Sequence, residues 1–133
     1  MGIRIVRLGS PRTSGEGVRL GTVRRPPRGV KKTEYASRDF YDVWLPDLAP
    51  SAELVSWAQS KSLMDAQWRT FARRYRREMN APVPKRLLAL LSALSKSSNF
   101  SVGCYCEDAT RCHRSVLRDL LREAGAIVDD ARV

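Results

Sequence analysis

Residues 100–125 decide the fold and read FSVGCYCEDATRCHRSVLRDLLREAG. The first seven residues alternate with a period of two, which is the pattern of a β-strand. One set is Phe100, Val102, Cys104 and Cys106, and the other is Ser101, Gly103 and Tyr105. The second half places its apolar side chains on one helical stripe and ends at Gly125, a residue type typical of helix C-termini. This stripe contains His113, Val116, Leu117, Leu120, Leu121 and Ala124. A strand that leads through a loop into an amphipathic helix predicts one unit of an α/β sheet.

The rest of the chain supplies the other elements of such a sheet. Short β-like runs at residues 3–8 and 18–23 predict two strands, and a basic loop with two prolines follows the second. Three helices are predicted next: one over about 50–59, one with an aromatic face up to Met79, and a leucine-rich one after Pro82. This order predicts an α/β fold, a small layered domain with a mostly parallel sheet flanked by helices. We expect one domain over residues 1–133, with a short flexible C-terminal tail from about residue 129.

Length and composition limit the class of protein. With 133 residues, 43% of them hydrophobic, the chain can build one core. Its longest strongly apolar stretch, residues 87–94, is too short to cross a bilayer, and the N-terminus lacks the apolar segment of a signal peptide. We therefore expect a cytoplasmic protein without a membrane partner. Its three cysteines are expected to be reduced.

The charge balance indicates anionic partners. Lys and Arg number 24 against 14 Asp and Glu, a formal net charge of +10 at pH 7. Such a balance attracts phosphate-bearing molecules, including nucleic acids. The second predicted helix places five arginines opposite its aromatic face, namely Arg69, Arg73, Arg74, Arg76 and Arg77. This face is interpreted either as a nucleic-acid-binding surface or as an ordinary solvated helix face.

The chemically specific feature is a cluster of cysteine, acid, histidine and arginine before the last helix. In the first interpretation Cys106 is a thiol nucleophile, with Cys112 as the alternative nucleophile, and no cofactor is needed. Glu107 would orient groups or donate a proton, and His113 would move protons as the only near-neutral base in the chain. Arg114 would hold an anionic group. The helix N-terminus would lower the pKa of a nearby thiol.

Other chemistries fit the same residues. Cys104, Cys106, Cys112 and His113 are four ligands of the kind that zinc prefers, although the usual two-residue gaps are absent. A redox pair of Cys106 and Cys112 is a further alternative, with five residues between the two cysteines. His113 could also be a core histidine whose ring bonds to a backbone carbonyl. The sequence leaves these alternatives open, together with the substrate, the reaction and the oligomeric state.

Three segments resemble domain-of-unknown-function family 488, which includes the YeaO-like proteins. Residues 44–54, WLPDLAPSAEL, and residues 71–75, FARRY, are similar to two segments of that family. Cys106-Glu107 followed by Cys112-His113-Arg114 is similar to a third pattern found in other members. The resemblance implies an α/β fold with a pocket near the loops that follow the second strand and the cysteine-bearing strand. It implies no substrate.

The resemblance also extends to the basic loop. Arg24, Pro27, Arg28 and Gly29 match the loop of the YeaO-like branch, whereas Val23 and Pro26 replace an acidic residue and a tryptophan. The arginines that match keep an anion-binding role for Arg24 and Arg28. We therefore expect a small anionic ligand, phosphate-like or nucleotide-like, between residues 24–29 and residues 106–114. A nucleic-acid-binding module and a zinc-stabilised domain are the alternatives.

Overall fold

The computed structural model describes residues 2–61, 64–106 and 111–129. Within them the chain forms a sheet of five strands, β1 (Gly2–Arg7), β2 (Val18–Gly21), β3 (Val43–Trp44), β4 (Asn99–Cys104) and β5 (Val128–Asp129). The α-helices are α1 (Ala52–Gln59), α2 (Asp65–Met79), α3 (Pro82–Leu94) and α4 (His113–Glu123), with short 3-10 helices at Lys32–Glu34 and Pro46–Leu48. The strand order is β3-β2-β4-β1-β5 and all four pairings are parallel. The predicted α/β fold is confirmed.

One face of the sheet is apolar and carries the main core. Ile5, Val102 and Leu20 are register partners across β1, β4 and β2, and therefore point to the same side. Helices α1 to α4 bury their apolar stripes against this side, with Leu54, Tyr75, Leu91, Leu117 and Leu121 among the buried residues. The helical stripes predicted from the sequence therefore supply much of the core, although Leu90 and Leu94 of the leucine stripe are exposed.

The opposite face of the sheet is polar and yet partly buried. Arg4, Ser101 and Arg19 are register partners on this face. Arg19 has no exposed surface, and its Nε and Nη2 donate to the two carboxylate oxygens of Glu16 at 2.8 and 3.0 Å. Ser101 Oγ donates to the same carboxylate at 2.8 Å. Burial alone would raise the pKa of Glu16, but these hydrogen bonds and the charge of Arg19 lower it.

Two of the three segments that resemble family 488, residues 44–54 and 71–75, contact each other. Tyr75 lies on α2 and is fully buried, and its hydroxyl donates to the Leu48 carbonyl at 2.7 Å. Trp44 Nε1 donates to the Val23 carbonyl at 2.7 Å, which fixes the same segment to the end of β2. The aromatic residues of these segments therefore have a structural role in joining α2, β2 and the loop before α1.

Several boundaries differ from those predicted. β2 ends at Gly21 instead of Val23, and the two-residue strand β3 was not predicted. The final strand includes Asp129, where a tail was expected to begin; residues 130–133 lie outside the described residues. None of the helices in the described part of the chain is long and apolar enough to span a membrane.

Candidate active site

The candidate site lies where the carboxyl ends of β2 and β4 meet the start of α4. These two strands are parallel neighbours, so the segments that follow them leave the sheet at the same edge. Thr22 bonds to the Gly103 carbonyl through both its amide, at 3.0 Å, and its hydroxyl, at 2.9 Å. Tyr105 Oη donates to the Arg25 carbonyl at 3.0 Å. The segments that follow β2 and β4, which the sequence analysis expected to lie together, are therefore in contact.

The three cysteine sulfurs form one cluster. Sγ of Cys104, Cys106 and Cys112 lie within 4.8 Å of one another, and all three cysteines are free. Cys104 is the last residue of β4 and Cys112 is the N-cap residue of α4. Both are buried, against Leu8, Val23 and Tyr41, whereas Cys106 is exposed. A reagent from solution therefore meets the sulfur of Cys106 first.

The three thiols differ strongly in acidity because each sulfur affects the others. Hydrogen bonds from Cys104 and Cys112, together with the positive charge of Arg114, lower the pKa of Cys106 despite its partial burial. The pKa values of Cys104 and Cys112 are raised, chiefly by their interactions with the neighbouring sulfurs and also by burial. The first proton to leave the cluster therefore comes from Cys106, and the two buried thiols stabilise its thiolate.

His113 is buried and held in a defined orientation. Its Nε2 lies 2.6 Å from the Thr22 carbonyl oxygen, and because a carbonyl only accepts, Nε2 carries the proton. Nδ1 is then the acceptor, 3.9 Å from Cys112 Sγ. Burial lowers the pKa of His113 more than the bond to Thr22 raises it. The imidazole is thus a neutral base whose accepting nitrogen faces Cys112, and the backbone bond considered for a core histidine is present.

Arg114 is the charged member of the site. It lies in the first turn of α4 and is only 5% exposed, although its side chain carries a positive charge. Its charge contributes to the lowered pKa of Cys106. The helical projection that placed His113 and Arg114 on the inner side of the last helix is confirmed, since both are buried.

The remaining predicted site residues are Arg24, Arg28 and Glu107. Arg24 donates from Nε to the Pro50 carbonyl at 2.9 Å and from Nη2 to the Pro46 and Ala49 carbonyls at 3.1 and 3.3 Å. Arg28 is exposed on the basic loop. Glu107 lies outside the described residues. The predicted anion-binding role of Arg24 and Arg28 stays a prediction, and Arg24 holds the loop against the segment before α1.

The sulfur cluster could also hold a metal ion. Three sulfurs within 4.8 Å of one another suit a soft cation such as zinc. The predicted fourth ligand, His113, is not part of that group, and its Nε2 is bonded to the Thr22 carbonyl. The described residues therefore supply three ligands and not the closed set of four that is typical of structural zinc.

Several residues beside the site were not predicted. A cleft of about 280 Å³ is lined by Arg4, Arg7, Ser10, Thr13 and Arg114, together with Glu16, Arg19 and Asp129. Two of its four arginines, Arg4 and Arg7, come from β1 and appear in the sequence only as the polar half of an alternating strand. Because all strands are parallel, the carboxyl end of β1 shares an edge with that of β4. The sequence feature that could have indicated this cleft is a strand, β1, that ends in arginine at the edge of the sheet where ligands bind.

Comparison with known proteins identifies the family. Residues 3–125 match the family model described as DUF488-N3a, the active DUF488-N3 subclade. The match runs from β1 to the end of α4 and thus includes the sulfur cluster, His113 and Arg114. No curated protein and no solved structure gives a significant match to the chain. The chain therefore belongs to the DUF488 family, as the three segments of resemblance indicated.

Proposed function

We propose that this protein is a thiol-dependent enzyme in which Cys106 is the nucleophile and the substrate is a small anionic molecule. The observation that carries the proposal is the sulfur cluster, in which one exposed sulfur lies within 4.8 Å of two buried ones. A thiolate, and not a thiol, is the reactive form of cysteine. An arrangement that stabilises negative charge on the one sulfur that solvent reaches suits nucleophilic catalysis.

The buried cysteines support this role for Cys106. Cys104 and Cys112 are 1% and 2% exposed, so a substrate in solution does not reach their sulfurs. Their S–H groups are the nearest donors to Cys106, and such hydrogen bonds stabilise the thiolate. Cys112, the alternative nucleophile, therefore serves in this proposal as a hydrogen-bond donor to the Cys106 thiolate.

In the proposed step, Sγ of Cys106 forms a bond to an electrophilic atom of the substrate. The bond to the leaving group breaks, and the leaving group keeps the electron pair. The leaving group takes a proton from water, and attack of a second water molecule on the bound substrate atom breaks its bond to Sγ and restores the Cys106 thiolate. Cys112 keeps its proton, and Nδ1 of His113 lies 3.9 Å from its Sγ. His113 acts through Cys112 and is therefore a positioning residue.

An anionic substrate fits the charge of the site. Arg114 is buried beside the cluster, and guanidinium groups bind phosphate and carboxylate oxygens with two parallel hydrogen bonds. The formal net charge of +10 draws anions toward the whole protein. Phosphate-like and nucleotide-like ligands, expected from the sequence, are therefore the substrate classes to test first.

The test is alkylation of each cysteine by iodoacetamide as a function of pH, with the modified peptides quantified by mass spectrometry. We expect Cys106 to react first, with an apparent pKa well below the value of about 8.5 for a free thiol. Cys104 and Cys112 should stay unmodified until the protein unfolds, and Cys106→Ser should remove the fast reaction. Equal rates at all three cysteines, or an ordinary pKa at Cys106, would overturn the proposal.

Nucleic-acid binding is the second candidate function, and the exposed side of α2 favours it. Arg69, Arg73 and Arg77 are exposed and four residues apart, so they form one line along the helix. Arg76, by contrast, pairs with Glu123 at 2.8 Å. If α2 binds phosphates, log affinity for a DNA or RNA duplex falls linearly with log salt, and R73E with R77E flattens the slope. Absence of binding at low salt would exclude this function.

A further inference from the structure

We infer that the cleft beside β1 is a binding site for the phosphate group of a phosphate monoester. The inference deepens the proposed function, because it names the substrate class and the place where its anionic end is held. The cleft has a volume of about 280 Å³, near the lower limit for ligand pockets, and is larger than a phosphate group. It thus has room for part of an attached organic group.

Basic side chains from three elements, β1, β2 and α4, line this cleft. Arg4 and Arg7 come from β1 and Arg114 comes from the first turn of α4. The lining contains four arginines and two carboxylates, those of Glu16 and Asp129, and is therefore positive. Three guanidinium groups in addition to Arg19 are more than a two-oxygen carboxylate needs. A phosphate, with three terminal oxygens, uses them better.

The cleft is a built site because its side chains are held before any ligand binds. Arg4 Nη1 donates to Thr13 Oγ1, and Arg4 Nε lies 3.6 Å from Asp129 Oδ2. Arg7 Nε donates to the Tyr105 carbonyl at 3.2 Å. Preorganised donors lose less conformational entropy when an anion binds, which favours affinity.

The buried pair of Glu16 and Arg19 forms the inner wall of the cleft. Arg19 Nη1 donates to the Ser10 carbonyl at 2.8 Å and to the Asp39 carbonyl at 2.7 Å. Its contacts thus fix residue 10, whose side chain lines the cleft together with Thr13. Arg19 is a structural group here, and the hydroxyl of Thr13 can donate to a phosphate oxygen.

Arg114 joins the cleft to the sulfur cluster. It lines the cleft, and its positive charge acts on Cys106. A phosphate bound in the cleft therefore adds negative charge near the same guanidinium that stabilises the Cys106 thiolate. Binding should lower the reactivity of Cys106 toward iodoacetamide, and a phosphorylated substrate would place its remaining atoms between the two groups.

The experiment is calorimetric titration of inorganic phosphate into the full chain at pH 8, with ionic strength held constant by NaCl. R4Q and R7Q should each weaken binding about tenfold or more, because each removes a charged hydrogen-bond donor. R86Q is the matched control, since it removes the same charge from an exposed position on α3, outside the cleft. It should change affinity less than about twofold.

D129N gives a prediction of the opposite sign. Asp129 is a carboxylate of the lining, so its neutralisation should strengthen phosphate binding by about two- to fivefold. Misfolding cannot produce such a gain. Equal losses in R7Q and R86Q, or no gain in D129N, would overturn the inference.

C106S separates this inference from the proposed function. The variant should bind phosphate at least as well as the unmodified protein does, because Cys106 does not line the cleft and its replacement removes a negative charge near Arg114. Phosphate binding without fast alkylation of Cys106 would leave the cleft standing and remove the nucleophile. Fast alkylation of Cys106 without phosphate binding would support the nucleophile and exclude the cleft as a phosphate site.

Discussion

Replacement of Glu16 by glutamine tests the buried ion pair on the polar face of the sheet. Glu16 is 3% exposed and Arg19 is fully buried, with two hydrogen bonds between guanidinium and carboxylate. Glutamine keeps the size of the side chain and one carbonyl acceptor but removes the negative charge. Arg19 would then carry a buried charge without its counterion. Breaking one partner of a buried pair costs about 3–5 kcal/mol.

The retained acceptor places the expected loss near 3 kcal/mol, the lower end of that range. This is a large part of the about 5–15 kcal/mol that stabilises a typical domain. With a urea m-value of about 1–3 kcal/mol per molar, the unfolding midpoint should fall by about 1 M or more. Equilibrium urea unfolding, followed by circular dichroism and tryptophan fluorescence, measures this shift.

Glu123→Gln is the matched control for this measurement. Glu123 also pairs with an arginine, Arg76, at 2.8 Å, but the two side chains are 58% and 41% exposed. Removal of an exposed pair costs at most about 1 kcal/mol. If the two variants lose the same stability, the reasoning from burial is wrong.

The same pair predicts how acid affects the fold. The pKa of Glu16 is lower in the folded protein than in the unfolded chain, where it is about 4.3. Its contribution is therefore complete above the unfolded pKa and is lost as the pH falls through the folded pKa. Urea midpoints measured between pH 7 and pH 3 should fall less steeply for Glu16→Gln than for the unmodified protein. Parallel curves would contradict this expectation.

Three further predictions concern packing, a buried hydroxyl and metal removal. Gly103→Ala should cost about 1–3 kcal/mol in urea unfolding, because its Cβ would lie 2.5 Å from the Val6 carbonyl oxygen; an unchanged midpoint would contradict this close approach. Tyr75→Phe should cost about 1–3 kcal/mol, since it leaves the buried Leu48 carbonyl without the hydroxyl donor; a loss below about 0.5 kcal/mol would refute that. EDTA should leave the melting temperature unchanged, because the described residues offer three sulfur ligands and no fourth; a large fall would indicate structural zinc.

The elements with a long, regular pattern were predictable from the sequence. β4 and the helices α2, α3 and α4 combine apolar stripes with clear ends, so their type follows from periodicity. β3 consists of Val43–Trp44 alone and is too short to show any period. Arg19 lies in the second predicted strand, and no local pattern indicates that it is buried. Its burial depends on Glu16 and Ser101, which meet it only after the strands pair.

The candidate site was predictable in its residues but not in its partners. Helical projection placed His113 and Arg114 on the inner side of α4, and both are buried. The bond from His113 to the Thr22 carbonyl joins residues 91 positions apart and follows from the strand order. Arg24 matched a loop of the family, yet its direction toward carbonyls before α1 depends on how that segment packs. Local patterns contain no information on such contacts.

The position of β4 between β1 and β2 has a consequence for biosynthesis. β1 and β2 are made first, but in the described sheet each of them pairs with β4, which the ribosome adds about a hundred residues after β1 begins. Contacts between distant parts of a chain make folding slow. Until Asn99–Cys104 has emerged, the early strands lack their central neighbour, and the backbone N–H and C=O groups that pair with it are exposed. A nascent chain stalled before that point should be a good substrate for chaperones, and one that includes α4 should escape them.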